Sequence, residues 1–220
     1  MPSLTVADSG DVFISHNAMA IDAPPDFLHY DALGKRIGIE KVSVDEVAQA
    51  SLSQAGTTNR WVLGYRRAYL VDSTSNVLRP LERTADGQWL ETPGPASVAS
   101  NGSIAIVSGA KGDPMSNAPP KVLVSIFAAD GKPVVTWPAP DDMSTFNGAI
   151  AFDGDRLAFL LGKHERPNGI LLTDKQGHSL VKAAYQSRDY IAAVFLVQEH
   201  EGPELWVFDG KSTVDRFAMP

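Results

Sequence analysis

Five short apolar runs, each closed by an aspartate and followed within a few residues by glycine or asparagine, restrict most strongly what this chain can fold into. They are FLHYD at 27–31, AYLVD at 68–72, SIFAAD at 125–130, GILLTD at 169–174 and LWVFD at 205–209. The turn residues after them are Gly34, Asn76, Gly131, Gly177 and Gly210. An aspartate carboxylate accepts from a backbone N–H two residues on, and Gly or Asn tolerates the positive φ of a tight hairpin. Each run therefore reads as a strand ending in a turn, and another β-prone run follows, as in RIGIE (36–40), PVVTW (133–137) and STVDRF (212–217).

A second series precedes the first. DVFISH (11–16), RWVLGY (60–65), SIAIVSG (103–109), RLAFLLG (156–162) and AVFLVQ (193–198) are apolar on both alternating faces. Strands of that kind are clad on both sides by neighbouring sheets. Val12, Ile14, Val62, Ile104, Ile106, Leu157, Phe159, Val194 and Leu196 are accordingly the expected core. Before several of them stand a further strand and a tight turn: LTVADSGD, SVASNGS and AIAFDGDR. The unit is strand, tight turn, buried strand, variable loop, Asp-ended strand, tight turn, strand, which is a four-stranded antiparallel meander. The closing aspartates are spaced by 41, 58, 44 and 35 residues, near the length of a propeller blade. Helical patterning is confined to SVDEVAQAS (43–51), where Ser43 and Glu46 fit a capping box and predict one helical turn leading into a strand.

LTVADSGDVFISH together with FLHYDALGKRIG resembles an NHL-type propeller repeat. RLAFLLGKHERPNGILLTDKQG is similar to the WD40-like repeat of TolB-type propellers. What the resemblance implies is a fold: an all-β propeller of about five four-stranded antiparallel blades in one domain, 1–220. Approximate blades are 3–42, 43–84, 96–138, 148–185 and 186–218. Between Tyr185 and Gln198 there is room for one long strand or two very short ones, so the last blade is expected to lack a strand, completed by the segment near Ser3–Ala7 or left to a larger propeller. A β-sandwich or irregular barrel is the competing architecture.

Function is bounded mainly by exclusion. The net charge of −7 and the scattered Lys and Arg predict no nucleic-acid partner. No apolar run approaches ~18 residues, so no membrane span is expected. The absence of cysteine removes disulfides, thiolate metal sites and Cys nucleophiles. No basic n-region with an apolar core opens the chain, and the compartment expected is that of a mature periplasmic or secreted protein. No phosphate loop, G-x-S-x-G elbow or H-E-x-x-H helix is present, so a non-catalytic module is expected.

The candidate site is geometric. Loops between the second and third strands are long and idiosyncratic: 15–26, 64–68, 108–121, 162–169 and 198–204. In a meander they emerge on one side of the disc, together with inter-blade segments such as 81–96 and 138–148. That face carries His16, Asn17, Arg66, Arg67, Lys111, Asp113, His164, Arg166 and His200 as expected ligand-binding residues, and the partner expected is a protein, peptide or glycan. Three histidines, His16, His164 and His200, have the donor chemistry for a divalent metal in the channel, but solvated loop histidines at unequal radii are the favoured reading, because the loops differ in length, and no cofactor is predicted. Arg66 and Arg67 with Lys111 and Arg166 have the chemistry to grip a carboxylate or sugar acid, and Trp89 and Trp137, near strand boundaries, to stack on sugar. The acidic pairs Asp141–Asp142, Asp153–Asp155 and Glu199–Glu201 leave open a propeller-type glycosidase, or a metal-dependent hydrolase or lyase. The five closing aspartates are expected to serve their own turns.

Overall fold

The computed structural model describes residues 4–6, 12–16, 26–41, 48–53, 59–64, 66–72, 77–144, 149–163, 166–186, 193–199, 202–208 and 214–219. Among them every regular element is a β-strand. The first sheet holds β1 (Leu4–Val6), β2 (Val12–His16), β3 (Asp26–Tyr30) and β4 (Arg36–Lys41). The second holds β5 (Ala48–Ser53), β6 (Asn59–Gly64), β7 (Ala68–Asp72) and β8 (Val77–Leu81). The third holds β9 (Trp89–Val98), β10 (Ile104–Lys111), β11 (Lys121–Phe127) and β12 (Pro133–Pro138). The fourth holds β13 (Ile150–Phe152), β14 (Arg156–Lys163), β15 (Arg166–Asp174) and β16 (Ser179–Ala184). The fifth holds β17 (Ala193–Glu199), β18 (Gly202–Phe208) and β19 (Val214–Ala218). Within each sheet, strands adjacent in sequence are neighbours in space, and all pairs are antiparallel.

The sheets stack face to face in chain order. β5 packs on β1 and β2, β9 on β5 and β6, β13 on β9, and β17 on β13 and β14. This propeller-like arrangement explains why the second strands are apolar on both faces. On β10, Ile104 and Ile106 join Trp61, Leu63 and Leu70 of the second sheet. Ala105 and Val107 turn the other way and join Leu157, Phe159 and Leu161 of the fourth. Ala158 and Leu160 in turn meet Val194, Leu205 and Val207 of the fifth. Period-2 alternation thus feeds two cores at once.

Six of the nine expected core residues are almost fully buried, while Val12, Ile14 and Leu196 are only half-buried. The three exceptions belong to the terminal sheets, each with a single neighbouring sheet among the described residues. AVFLVQ, expected as a second strand, is β17 and occupies the innermost place of its sheet against β13. The fifth sheet contains three strands, in line with the shortage of residues there. The expected helical turn at 43–51 is corrected in part: 48–51 belong to β5, because alternating Ala and Ser fit a pleated edge as readily as a helix face, and 43–47 lie outside the described residues.

One tight turn recurs, spanning 31–35, 84–88, 99–103, 128–132 and 174–178. In each, the first residue's N–H donates to the fifth residue's carbonyl, and the fourth residue's N–H donates back to the first carbonyl, at 2.8–3.1 Å. The fourth residue is always glycine, with φ between 79° and 87°. This is the three-residue hairpin loop with a left-handed bulge glycine. A side chain at position one or three supplies the remaining acceptor. Asp31 Oδ1 takes the amides of Leu33 and Lys35, and Asp174 Oδ1 those of Gln176 and His178. Asn101 and Asp130 act from the third position on the amides of Ser103 and Lys132. The turn role expected of the closing aspartates holds for Asp31, Asp130 and Asp174. The alignment among them does not, because Asp130 stands two residues later in its turn than the other two. Asp72 lies in strand register opposite Asn59 and Val77, and Asp209 is outside the described residues.

The outer turns also lock adjacent sheets. Gly177 lies against Trp137 of β12, so that a Cβ there would fall 2.6 Å from the indole ring. Trp137 in turn meets Phe159 edge-on at 5.7 Å.

Two outcomes are expected from chemical denaturation. Phe159→Ala should cost ~3–5 kcal/mol, the range for a fully buried aromatic. Gly177→Ala should cost ~1–3 kcal/mol, because it combines a left-handed φ with a clash against a packed ring; a neutral result would show that Trp137 is not held beneath the turn.

Candidate functional site

Strand order decides which connections share an end of the sheets. The turns 31–35, 99–103, 128–132 and 174–178 lie at one end. The β6–β7 and β10–β11 connections and the crossings between sheets lie at the other. One part of the expected loop face is corrected. Residues 81–96 are not a long loop, since 84–88 form the recurrent tight turn and β9 begins at Trp89. Thr84 Oγ1 closes that turn by accepting from the Gln88 amide, and its own O–H, donated to Asp86, holds that carboxyl below the usual range.

At this end, the second and third sheets frame a cleft of about 450 Å³. Arg66 and Arg67 form one wall from the β6–β7 turn, Trp89 to Thr92 form the other, Leu81 and Leu90 contribute apolar lining, and Pro114 reaches in from the β10–β11 loop. Arg66 and Arg67 are exposed. Arg83 lies 4.0 Å over the Trp89 ring and donates to the Gly87 carbonyl, so one indole face is already covered by a cation. Glu91 lies 3.4 Å from Lys111. A second cleft of about 420 Å³, lined by Lys111, Asp113 and Lys121 among others, adjoins the first across the β10–β11 loop.

Thr92 marks the junction. Among the described residues it is the non-glycine residue with positive φ, at 46°, and it stands where the β9–β10 register slips between Glu91 and Pro93. A β-branched residue is an outlier there. Its N–H donates to the Arg66 carbonyl at 3.2 Å, tying the strained bulge to the arginine turn. Bulges of this kind re-aim the chain beside sites.

The structure therefore brings four of the nine expected residues, Arg66, Arg67, Lys111 and Asp113, to one end and into neighbouring clefts. Asp113 is partly occupied by its own turn, where Oδ1 accepts from Met115 at 2.9 Å. His16 ends β2 and Arg166 begins β15, at the same end of their strands by topology. Asn17, His164 and His200 lie outside the described residues, so the histidine grouping is not assembled among them. No cluster of three or more His, Asp or Glu with metal-binding spacing occurs among the described residues.

Trp137 and the Asp153–Asp155 pair resolve into packing, turn and ion-pair contacts, Asp142 pairs with Lys182 at 3.6 Å, and of the Glu199–Glu201 pair Glu201 lies outside the described residues. Trp137 is half-buried against Gly177 and Phe159, with its Nε1 buried and unpaired. Asp153 pairs with Arg156 at 2.8 Å. Asp155 pairs with Lys175 at 2.9 Å, and that ammonium holds its carboxyl below the usual range. Trp89 was expected as a stacking ring and the segment 81–96 was placed on this face, but Glu82, Leu90, Glu91 and Thr92 were not singled out as site residues. The Thr92-Pro93-Gly94 punctuation inside a strand is the local signal that marks their bulge.

No family model matches the sequence, and no curated protein matches it. Solved structures do match. KlAtg21, in complex with the coiled coil of AgAtg16, superposes with a TM-score of 0.62 at 13% identity, over 98% of this chain and 65% of that one. The RRP9 WD40 repeats match with a TM-score of 0.56 at 9% identity, over 98% and 64%. Puromycin hydrolase matches with 0.53 at 13% identity, over 93% of this chain and 32% of the other. The fold is propeller-like. The chain spans just under two thirds of the length of the first two, and at these identities the likeness extends to fold alone.

The bulge generates a prediction. Thr92 is exposed, so Thr92→Gly loses no packing and relieves the left-handed strain. A gain of ~1 kcal/mol in thermal or chemical denaturation is expected. A loss would show that the side chain, rather than the backbone, holds the bulge.

Proposed function

We propose that this chain is a non-catalytic propeller-type interaction module, its five sheets serving as blades of one domain, and that it binds a protein or peptide carrying a carboxylate. The site is the cleft between the Arg66–Arg67 turn and β9. One observation carries the reading: paired arginines stand exposed beside an apolar lining of Leu81 and Leu90. Arginine presents a planar fork to a carboxylate, and Arg and Trp are enriched among residues that dominate protein interfaces. The strained Thr92 supports it, since backbone outliers cluster at binding sites. KlAtg21, whose solved complex includes a coiled coil, illustrates how a similar fold engages protein.

A propeller-type hydrolase is the second reading, and the match to puromycin hydrolase favours it. It is the weaker one. The matched part is about a third of that chain, and Asp113, Asp153, Asp155 and Asp174 are each engaged in turns or ion pairs here.

The test is a peptide-array screen of the purified chain, followed by affinity measurement on the best acidic binder. Arg67→Ala should weaken binding at least tenfold, as expected for an interface residue costing more than ~1.4 kcal/mol. Lys35→Ala, on the opposite end, should leave it unchanged. Equal affinity of the Arg67 variant and the parent would overturn the site.

A further inference from the structure

The loop that divides the two clefts is fixed from within. Asp113 Oδ1 accepts from the Met115 amide at 2.9 Å, the Asp113 carbonyl accepts from the Ser116 amide at 3.1 Å, and Ser116 Oγ accepts from the Ala118 amide at 3.1 Å. Pro114 lines the first cleft, while Asp113 and Ser116 line the second. Met115 comes between them in sequence and is 86% exposed. A methionine held in water at such a divide is adaptable apolar contact area. Each cleft also presents an exposed cation that pairs with no carboxylate among the described residues: Arg67 in the first and Lys121 in the second. Carboxylates are not scarce in a chain of net charge −7, yet neither cation has taken one. Lys111, between the clefts, is engaged by Glu91 at 3.4 Å, which offsets the acid on the wall of the first cleft.

Backbone spacing sets how far apart the two cations lie. The Thr92 amide donates to the Arg66 carbonyl, β9 pairs with β10, and Lys121 opens β11 opposite Ala110 of β10. Each step is one hydrogen-bonded chain spacing, so the arginine turn and Lys121 stand ~15 Å apart across the end of the third sheet. An extended peptide advances ~3.3 Å per residue, and about four residues cover that span once side-chain reach is added. Side chains at i, i+2 and i+4 of an extended chain share one face. We propose, resting on the arginine cleft as the site, that its ligand is an extended peptide segment with acidic side chains at i and i+4 and an apolar one at i+2. One carboxylate meets Arg67, the apolar side chain lies on Met115, and the other carboxylate meets Lys121. Carrying both acids on one chain makes the second contact intramolecular, so affinity rises although a single exposed ion pair contributes little.

The probe is a dye-labelled synthetic peptide containing Glu-Ser-Leu-Ser-Glu, titrated with the full chain and read by fluorescence anisotropy. Replacing its second Glu by Gln should weaken binding about fivefold, the scale of one exposed ion pair. Lys121→Ala should erase that difference: the two-acid peptide falls to the affinity of the one-acid peptide, whose own affinity stays unchanged. Moving the two Glu to adjacent positions should cost the same factor, which separates spacing from net charge. Met115→Ser should weaken the original peptide and have no effect once the peptide's Leu is Ser. Both protein positions are exposed, so neither variant removes core packing. Equal affinity of the two-acid and one-acid peptides for the parent chain would overturn the proposal. So would a Lys121→Ala variant that weakens both peptides by one factor, or a peptide with adjacent acids that binds as well as the original. Failure of the arginine cleft itself reads differently: Arg67→Ala then binds both peptides as the parent does, or the parent binds neither, and the two-acid ligand falls with it.

Discussion

Face-to-face packing between consecutive sheets is the interaction on which the rest of this molecule depends. No single sheet here could stand alone, because its second strand is apolar on both sides and would leave one face in water. Ile104 and Ile106 need Trp61 and Leu70 behind them, while Ala105 and Val107 need Phe159 and Leu161 in front. Burying side chains of this size contributes ~1.5–3 kcal/mol each. The stack is in this sense one-dimensional: each layer is stabilised by its neighbours, as in other repeat folds. Half-buried Val12 and Ile14 show the same rule from the other side, since among the described residues the first sheet packs on the second.

The turns are subordinate to that packing, although they are its most visible trace in the sequence. The five described turns use one hydrogen-bond geometry with several sequences. Asp31 and Asp174 fill the first position, Asn101 and Asp130 the third, and Thr84 the first with a hydroxyl. The backbone requires a left-handed residue at the fourth place and an acceptor somewhere near the fifth amide, no more. Gly177 shows how turn and core meet: its missing Cβ is the space that Trp137 occupies, so the glycine serves both the hairpin and the contact between the third and fourth sheets.

Local order was legible in the sequence and spatial place was not. The antiparallel meander, the buried second strands of the middle sheets and the turn role of Asp31 and Asp174 follow from period-2 alternation and short-range hydrogen bonding. The same logic misaligned Asp130, because an acceptor at position three looks like one at position one when only Asp and Gly are compared. It placed AVFLVQ second in its sheet, because apolarity reports burial and not distance from the axis. It read 81–96 as loop, because two prolines and two glycines hide a strand whose irregularity is a bulge at Thr92. Of the expected site residues, Arg66, Arg67, Lys111 and Asp113 were reached through loop order alone. Trp89 was reached only as a stacking ring, and Leu90 and Glu91 were not singled out, because strand residues at a sheet's end carry no loop signature.

That omission reflects how an antiparallel stack makes a surface. At one end the connections within a sheet are hairpins of minimal length, so neighbouring sheets have only short turns to offer. At the other end the chain must cross from an outer strand to the next inner one, and the crossing brings strand ends of two sheets beside the middle loops. The cleft by Arg66 is made of such parts: a turn from the second sheet, the start of β9 in the third, and Pro114 from a loop. Its floor adjoins the same core, through Leu81 and Leu90, that holds Trp61 and Ile106. The arginine turn is thereby mounted on the packed interface between the second and third sheets, with the Thr92 amide fixing its carbonyl. Loop length at that end can vary without disturbing the stack, because the residues that pack and the residues that face solvent are carried on different segments.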